Sequence, residues 1–208
     1  MTEQEWYNKL EMRHGKELQQ KFSSACIAVC GLGGLGSNVA ISLARAGIGK
    51  LMLIDFDKVD ISNLHRQQYS VSQLGMYKIE AIKHILSEIT PYCNVITHTV
   101  KLTDENLSLL ADCNIVCECF DNAEYKAMLV NGISENYPEK YIVAASGMSG
   151  LHTGNTIQTK KCGKRLYICG DGMSDVADNG TLFAPRVMLC AAHQANTVLR
   201  IIAGKFEV

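Results

Sequence analysis

The residues in this chain best suited to chemistry gather behind one glycine-rich stretch. Gly31-Leu32-Gly33-Gly34-Leu35-Gly36-Ser37 follows the apolar run Ala25–Cys30 and precedes a helical pattern. Such a junction lets the backbone approach a phosphate closely, while the helix start offers unpaired N–H groups and the positive end of its dipole. Asp55 ends the next apolar run, 19 positions after Gly36, where an acid can accept from ribose hydroxyls. Asp57 follows it. Loop and acid alone point to an adenosine nucleotide, and a nicotinamide enzyme would carry the same pair. What comes next does not suit nicotinamide. Asn63, Arg66 and Gln67 are hydrogen-bond donors for a polyphosphate, and Arg66 can fork onto phosphate oxygens. Lys78 adds a compact charge on the following helix. Each charge by itself reads as a solvated surface side chain. Clustered behind a nucleotide loop, they read as a phosphate grip.

Asp121 follows a later apolar run, in Cys119-Phe120-Asp121-Asn122. Ligands of an open α/β sheet lie beyond the carboxyl ends of its strands, so an acid there faces the phosphates. Two anions sit together only around a cation, and Mg²⁺ takes one or two carboxylates plus phosphate oxygens. The other reading is that Asp121 caps the helix that follows.

The elements that must position these residues alternate. Strands are expected over residues 25–30, 50–56, 95–100, 114–119 and 141–146. Helices are expected over 37–46, 73–89 and 123–136, with a short one over 104–110. That alternation predicts an α/β, Rossmann-like, mostly parallel sheet covered by helices on both faces. Residues 2–22 read as one helix lying on the body. After Gly147 a run of glycines interrupts two short strands, 155–159 and 165–169, an antiparallel extension. Pro185 then opens a C-terminal helix over 186–202. One domain, 1–208, is expected: an N-terminal helical segment (1–22), a nucleotide-binding core (23–146) and a C-terminal part (147–208).

Composition narrows the function classes. The 208 residues hold Lys+Arg 20 against Asp+Glu 21, a net charge of −1, so no general attraction to nucleic acid or anionic membrane is expected. Hydrophobic residues are 47% and charged residues 20%, an ordinary globular balance. Nothing approaches the roughly 20 apolar residues of a membrane span, and the polar start does not read as a signal peptide. Nine cysteines, with no Cys-x-x-Cys, argue for a cytoplasmic protein with reduced thiols and no zinc. Cys26, Cys30, Cys113, Cys117 and Cys119 read as core residues.

Taken together, these motifs resemble the ThiF/MoeB adenylyltransferase family, relatives of the catalytic domain of ubiquitin-activating enzymes. The resemblance runs from about Lys21 to Gly204. It rests on GLGGLGS, LARAGIG (43–49), DFDKVDISNLHRQ (55–67), GMYK (75–78) and CFDNAEYK (119–126). VAASGMSG (143–150), ICGD (168–171) and APRVMLCAAHQAN (184–196) make it most like the compact ThiF subgroup of thiamine biosynthesis. The resemblance implies an enzyme that binds ATP and Mg²⁺. It would adenylate the C-terminal Gly-Gly carboxylate of a small ubiquitin-like, ThiS-like sulfur carrier and release pyrophosphate. It further implies that residues 147–208 face the carrier and that the protein is a homodimer. The implied cofactor-binding residues are Gly31, Gly33, Gly34, Gly36, Ser37, Asp55, Asp57, Asn63, Arg66, Gln67, Lys78 and Asn122. Arg66, Lys78 and Asp121 would be catalytic, with Asp121 on the magnesium. Alternatives are a MoaD-like carrier, a tRNA-base carboxylate, or a non-catalytic nucleotide-binding domain. In relatives a cysteine can join the carrier covalently, with Cys169 the nearest candidate here, and an arginine reaches across the dimer, a place Arg13 could take.

Overall fold

Seven strands form one sheet in a computed structural model that describes residues 1–208: Cys26–Cys30 (β1), Lys50–Ile54 (β2), Asn94–His98 (β3), Ile115–Glu118 (β4), Tyr141–Ala145 (β5), Gln158–Cys162 (β6) and Leu166–Gly170 (β7). Their order is β3-β2-β1-β4-β5-β7-β6. Every neighbouring pair is parallel except β6 against β7, which is the expected antiparallel extension. β1, β2, β4 and β5 are buried along nearly their whole length, as strands covered on both faces must be. β6, Gln-Thr-Lys-Lys-Cys, alternates between exposed and half-buried, the pattern of an edge.

The helices are Glu3–His14 (α1), Lys16–Ser24 (α2), Gly34–Arg45 (α3), Lys78–Ile89 (α4), Ala123–Asn136 (α5), Val176–Asn179 (α6) and Ala184–Ile202 (α7). Side chains along β1 point alternately to two cores. Ile27 and Val29 join Val39, Leu43, Ile82, Leu86, Ala191 and Val198 from α3, α4 and α7. Ala28 and Cys30 join Leu129 and Ile133 of α5 and Leu107 and Leu110 of a 3-10 turn. The chain winds outward from β1 to β3, then returns to β4 on β1's other side. That reversal opens a crevice over the carboxyl ends of β1 and β4, the usual ligand position in such sheets.

Local departures from the sequence reading have local causes. The N-terminal segment is two helices, because Gly15 takes φ 86° and ends α1. Thr2 starts α1 with a reciprocal capping box to Glu5. α3 begins at Gly34, inside the glycine loop, so the loop's second half is already helix. Residues 71–73 make a separate 3-10 turn, and α4 starts only at Lys78. β6 lies three residues later than expected. No helix is long and apolar enough to cross a membrane.

Candidate active site

A cleft of about 340 Å³ lies over the carboxyl ends of the central strands, at the reversal of strand order. Its lining includes Gly31, Gly33, Gly34, Asp55, Asp57, Asn63, Arg66, Gln67, Lys78 and Asp121. Gly36, Ser37 and Asn122, expected beside them, lie outside that lining. The loop glycines divide the work. A Cβ on Gly36 would stand 1.8 Å from the Gly31 carbonyl oxygen, so only glycine lets α3 press this closely on the loop. Gly31, at φ 90°, turns against the end of β4, where a Cβ would lie 2.9 Å from the Cys119 carbonyl oxygen. Over Gly33 the space is open: the nearest atom to an added Cβ is Gln67 Nε2 at 3.8 Å. Ser37 is fully buried and donates to the Gly33 carbonyl at 2.7 Å, fastening the loop from behind.

Positive charge converges on this loop. Lys78 is the first residue of α4 and its side chain is 7% exposed, so a buried cation sits at the positive end of a helix dipole. Asp57, half exposed, pairs with it at 2.8 Å, and the buried Asp55 also feels its charge. Arg66 stands beside the first residue of α3, its Cγ 3.4 Å from where a Gly34 Cβ would be, and donates to Asn63 Oδ1 at 3.0 Å. An anion in the cleft would relieve both crowded cations. Gln67 is buried, and its Oε1 has no hydrogen-bond partner in the protein. Asp55 accepts from the Leu32 N–H at 2.6 Å and the Asp57 N–H at 2.7 Å. An ionised carboxylate has about four acceptor sites, so two remain for hydroxyls. Burial pushes the Asp55 pKa up, against the pull of Lys78 and these two amides.

Asp121 is exposed at the edge of the cleft. It does not cap α5; Asn122 does, accepting from the Glu124 and Tyr125 amides. The capping reading of Asp121 therefore falls, and the Asn122 side chain is occupied by the helix. One turn along, Lys126 reaches back from α5 into the cleft wall. Its Nζ lies 3.0 Å from both oxygens of Glu118 and donates to the Ala145 carbonyl at 3.0 Å. Glu118, 1% exposed at the end of β4, has its pKa raised by burial and drawn back by Lys126. Lys126 is the lysine of CFDNAEYK, and its spacing alone does not mark it for the cleft.

The opposite wall is built by the segments leaving β5 and β7, and Arg186 ties them together. Its guanidinium is buried and donates to the His152 and Thr153 carbonyls at 2.7 and 2.8 Å, and to Asp171 at 2.6 Å. Asp171 also accepts from the Met173 and Ser174 amides. The glycines here are points of close approach and not slack. A Cβ on Gly147 would meet Asp171 Oδ1 at 2.1 Å, and one on Gly170 the Ser146 carbonyl at 1.9 Å. APR and ICGD are the sequence traces of this tie; their roles emerge only when Arg186 and Asp171 meet.

Two remaining candidates lie away from the cleft. Cys169 is fully buried, close to Thr159 and Thr197, and burial pushes its thiol pKa up. Arg13 ends α1, which packs at the amino ends of the strands: Leu10 lies against Gly47, and the Tyr92 hydroxyl donates to the Met1 carbonyl. The cleft is at the other end of the sheet.

Known proteins resemble this chain in sequence and in fold. The molybdopterin-synthase adenylyltransferase of Escherichia coli is 30% identical over 206 residues, 95% of this chain and 82% of that protein. The adenylyltransferase and sulfurtransferase UBA4 of Candida glabrata is 32% identical over 196 residues, 91% of this chain and 45% of that protein. The chain thus spans less than half the length of UBA4. Among solved structures, the E. coli tRNA N6-threonylcarbamoyladenosine dehydratase TcdA in complex with AMP superposes with a TM-score of 0.84. It is 23% identical, covering 95% of this chain and 94% of that one, so the likeness is one of fold. The pattern described as the ThiF family matches residues 7–208, nearly everything from α1 onward, and the chain belongs to that family.

Proposed function

We propose that this protein uses ATP to adenylate the C-terminal carboxylate of a small ubiquitin-like sulfur carrier ending in Gly-Gly. The observation that carries this reading is the placing of Lys78 and Arg66 at two helix N-termini beside the glycine loop, in one cleft with the open face of Gly33 and the buried Asp55. Two cations beside two helix starts suit a triphosphate. Asp55 accepts from the ribose, and Gln67 Oε1 gains a donor from the nucleotide or its water. The carrier carboxylate attacks the α-phosphorus, the bond to pyrophosphate breaks, and acyl-adenylate forms. No base is required, because the nucleophile is already ionised. Catalysis then consists of alignment and neutralisation of charge developing on the phosphates, the task of Arg66 and Lys78. Asp121, exposed and free of the helix cap, would hold a magnesium ion that shields the phosphates.

For the carrier, the 143–150, 168–171 and 184–196 motifs favour a ThiS-like protein, and so a place in thiamine biosynthesis. A MoaD-like carrier is the second reading, favoured by similarity to the molybdopterin-synthase adenylyltransferase. The family resemblance favours a homodimer in which Arg13 serves the neighbour's cleft. The nine free cysteines fit a cytoplasmic setting. ATP–pyrophosphate exchange with ThiS-like and MoaD-like carriers, each ending in Gly-Gly, tests the proposal. Exchange is expected with the ThiS-like carrier foremost, and to fall away when its tail is changed to Ala-Ala. Exchange with neither carrier overturns the reading; preference for the MoaD-like carrier moves the protein to the second.

A further inference from the structure

We propose that the Ser149 hydroxyl hydrogen-bonds the terminal peptide unit of the acyl substrate, and that Arg186 is the positioning residue that holds it there. Ser149 lines the cleft, yet it is 1% exposed and its Oγ has no hydrogen-bond partner in the protein. Only one other buried side-chain polar atom is left so, Gln67 Oε1, and it lies on the nucleotide side of the same cleft. A buried hydroxyl left unpaired costs free energy that a ligand can restore. Its backbone N–H is already committed, donating to Ser174 Oγ at 3.0 Å, so that amide does not pair with the hydroxyl.

The two walls of the cleft differ in charge. The glycine-loop wall carries Arg66 and Lys78. The segments around Ser149 bring Met148, Ser174, Val176 and Leu182 with the acid Asp175, while the cleft's other lysines, Lys101 and Lys126, come from beyond β3 and from α5, Lys126 being held by Glu118. A phosphate chain has nothing to hold there. An uncharged, extended peptide does: apolar side chains to lie along and a hydroxyl for an N–H or a carbonyl. Ser149 stays in place because Arg186 grips its segment on both sides, donating to the Met148 carbonyl at 3.4 Å and to the His152 and Thr153 carbonyls. Asp171 anchors the guanidinium in turn.

This inference rests on the adenylation reading, and the experiment separates the two. Carrier-dependent ATP–pyrophosphate exchange and equilibrium binding of ATP are measured for wild type, Ser149→Ala, Arg186→Lys and the double variant. Ser149→Ala is expected to raise KM for the carrier about five- to tenfold, the loss of one buried hydrogen bond, with kcat and the ATP Kd within twofold of wild type. Arg186→Lys keeps a charge for Asp171 but loses the fork; it should raise the same KM and leave ATP binding alone. The double variant should be no worse than Arg186→Lys, since a hydroxyl already displaced has nothing left to lose. Weakened ATP binding in Ser149→Ala assigns the hydroxyl to the nucleotide and overturns the proposal, as do unchanged constants or additive effects. A wild-type protein with no carrier-dependent exchange overturns the function and this inference with it.

Discussion

Two glycines three positions apart in the same loop should respond to the same substitution in opposite ways. At Gly36 an added Cβ would lie 1.8 Å from the Gly31 carbonyl oxygen and 2.8 Å from its carbon, both backbone atoms that cannot step aside. Gly36→Ala must move α3 off the loop, an overpacking cost of about 1–3 kcal/mol or more. For a domain of this size each kcal/mol shifts Tm by roughly 2–4 °C, so a fall of about 2–12 °C is expected. At Gly33 the nearest atom is a side-chain nitrogen at 3.8 Å, an ordinary contact, and φ is −72°. Gly33→Ala should keep Tm within about 2 °C of wild type. Its methyl group would instead occupy the space a phosphate needs at the start of α3. Losing a hydrogen bond to a charged oxygen costs about 1.5–3 kcal/mol, roughly 10- to 150-fold in ATP affinity. Thermal unfolding and ATP titration of both variants decide the matter. If Gly33→Ala binds ATP normally, the open space over Gly33 is not the phosphate cradle. If Gly36→Ala leaves Tm unchanged, the packing argument is wrong.

Other expectations follow from single observations. Arg186→Met should destabilise the fold by about 3–5 kcal/mol, because it strands a nearly buried Asp171; a Tm within about 2 °C of wild type would refute this. Burial pushes the Asp171 pKa up, but the Ser174 and Met173 amides, the Ser174 hydroxyl and Arg186 outweigh it and hold the carboxyl below its ordinary range. The stability Asp171 contributes is therefore full above about pH 4 and lost as pH falls through its folded value, so wild type and Asp171→Asn should converge in acid and diverge near neutrality in unfolding scans. Lys78→Ala should slow adenylate formation more than it weakens adenosine binding, and equal losses would move the lysine off the triphosphate. Cys26 and Cys113 lie with their sulfurs 3.0 Å apart, and the hydrogen bond they share draws the half-buried Cys26 thiol below its usual range. Alkylation of Cys26 should persist at lower pH in wild type than in Cys113→Ala, by peptide mapping; matching profiles would dismiss the bond.

The core strands were legible because continuous apolar runs such as Cys-Ile-Ala-Val-Cys leave no other place to go than the middle of a covered sheet. Lys78 and Arg66 were legible through their spacing behind the glycine loop. The break at Gly15 was not, since the polar pattern of α1 runs through it unchanged and only the φ of one residue differs. β6 was misplaced because an edge strand of Gln-Thr-Lys-Lys-Cys carries too little apolar signal to mark its ends. That Ser149 and Lys126 line the cleft was not visible for a different reason. Each acquires its meaning from a partner far along the chain, Arg186 for one and the end of β5 for the other.

Following the α-phosphate of ATP tests the central claim most directly. Carrier with a Gly-Gly tail is incubated with the protein and ATP labelled at either the α- or the γ-phosphate, then quenched in acid and separated. Label from the α-position should appear on the carrier, label from the γ-position should appear in pyrophosphate, and Asp121→Ala should yield neither product while still binding ATP. Transfer of the γ-label to the carrier, or hydrolysis of ATP with no labelled carrier at all, would contradict the account.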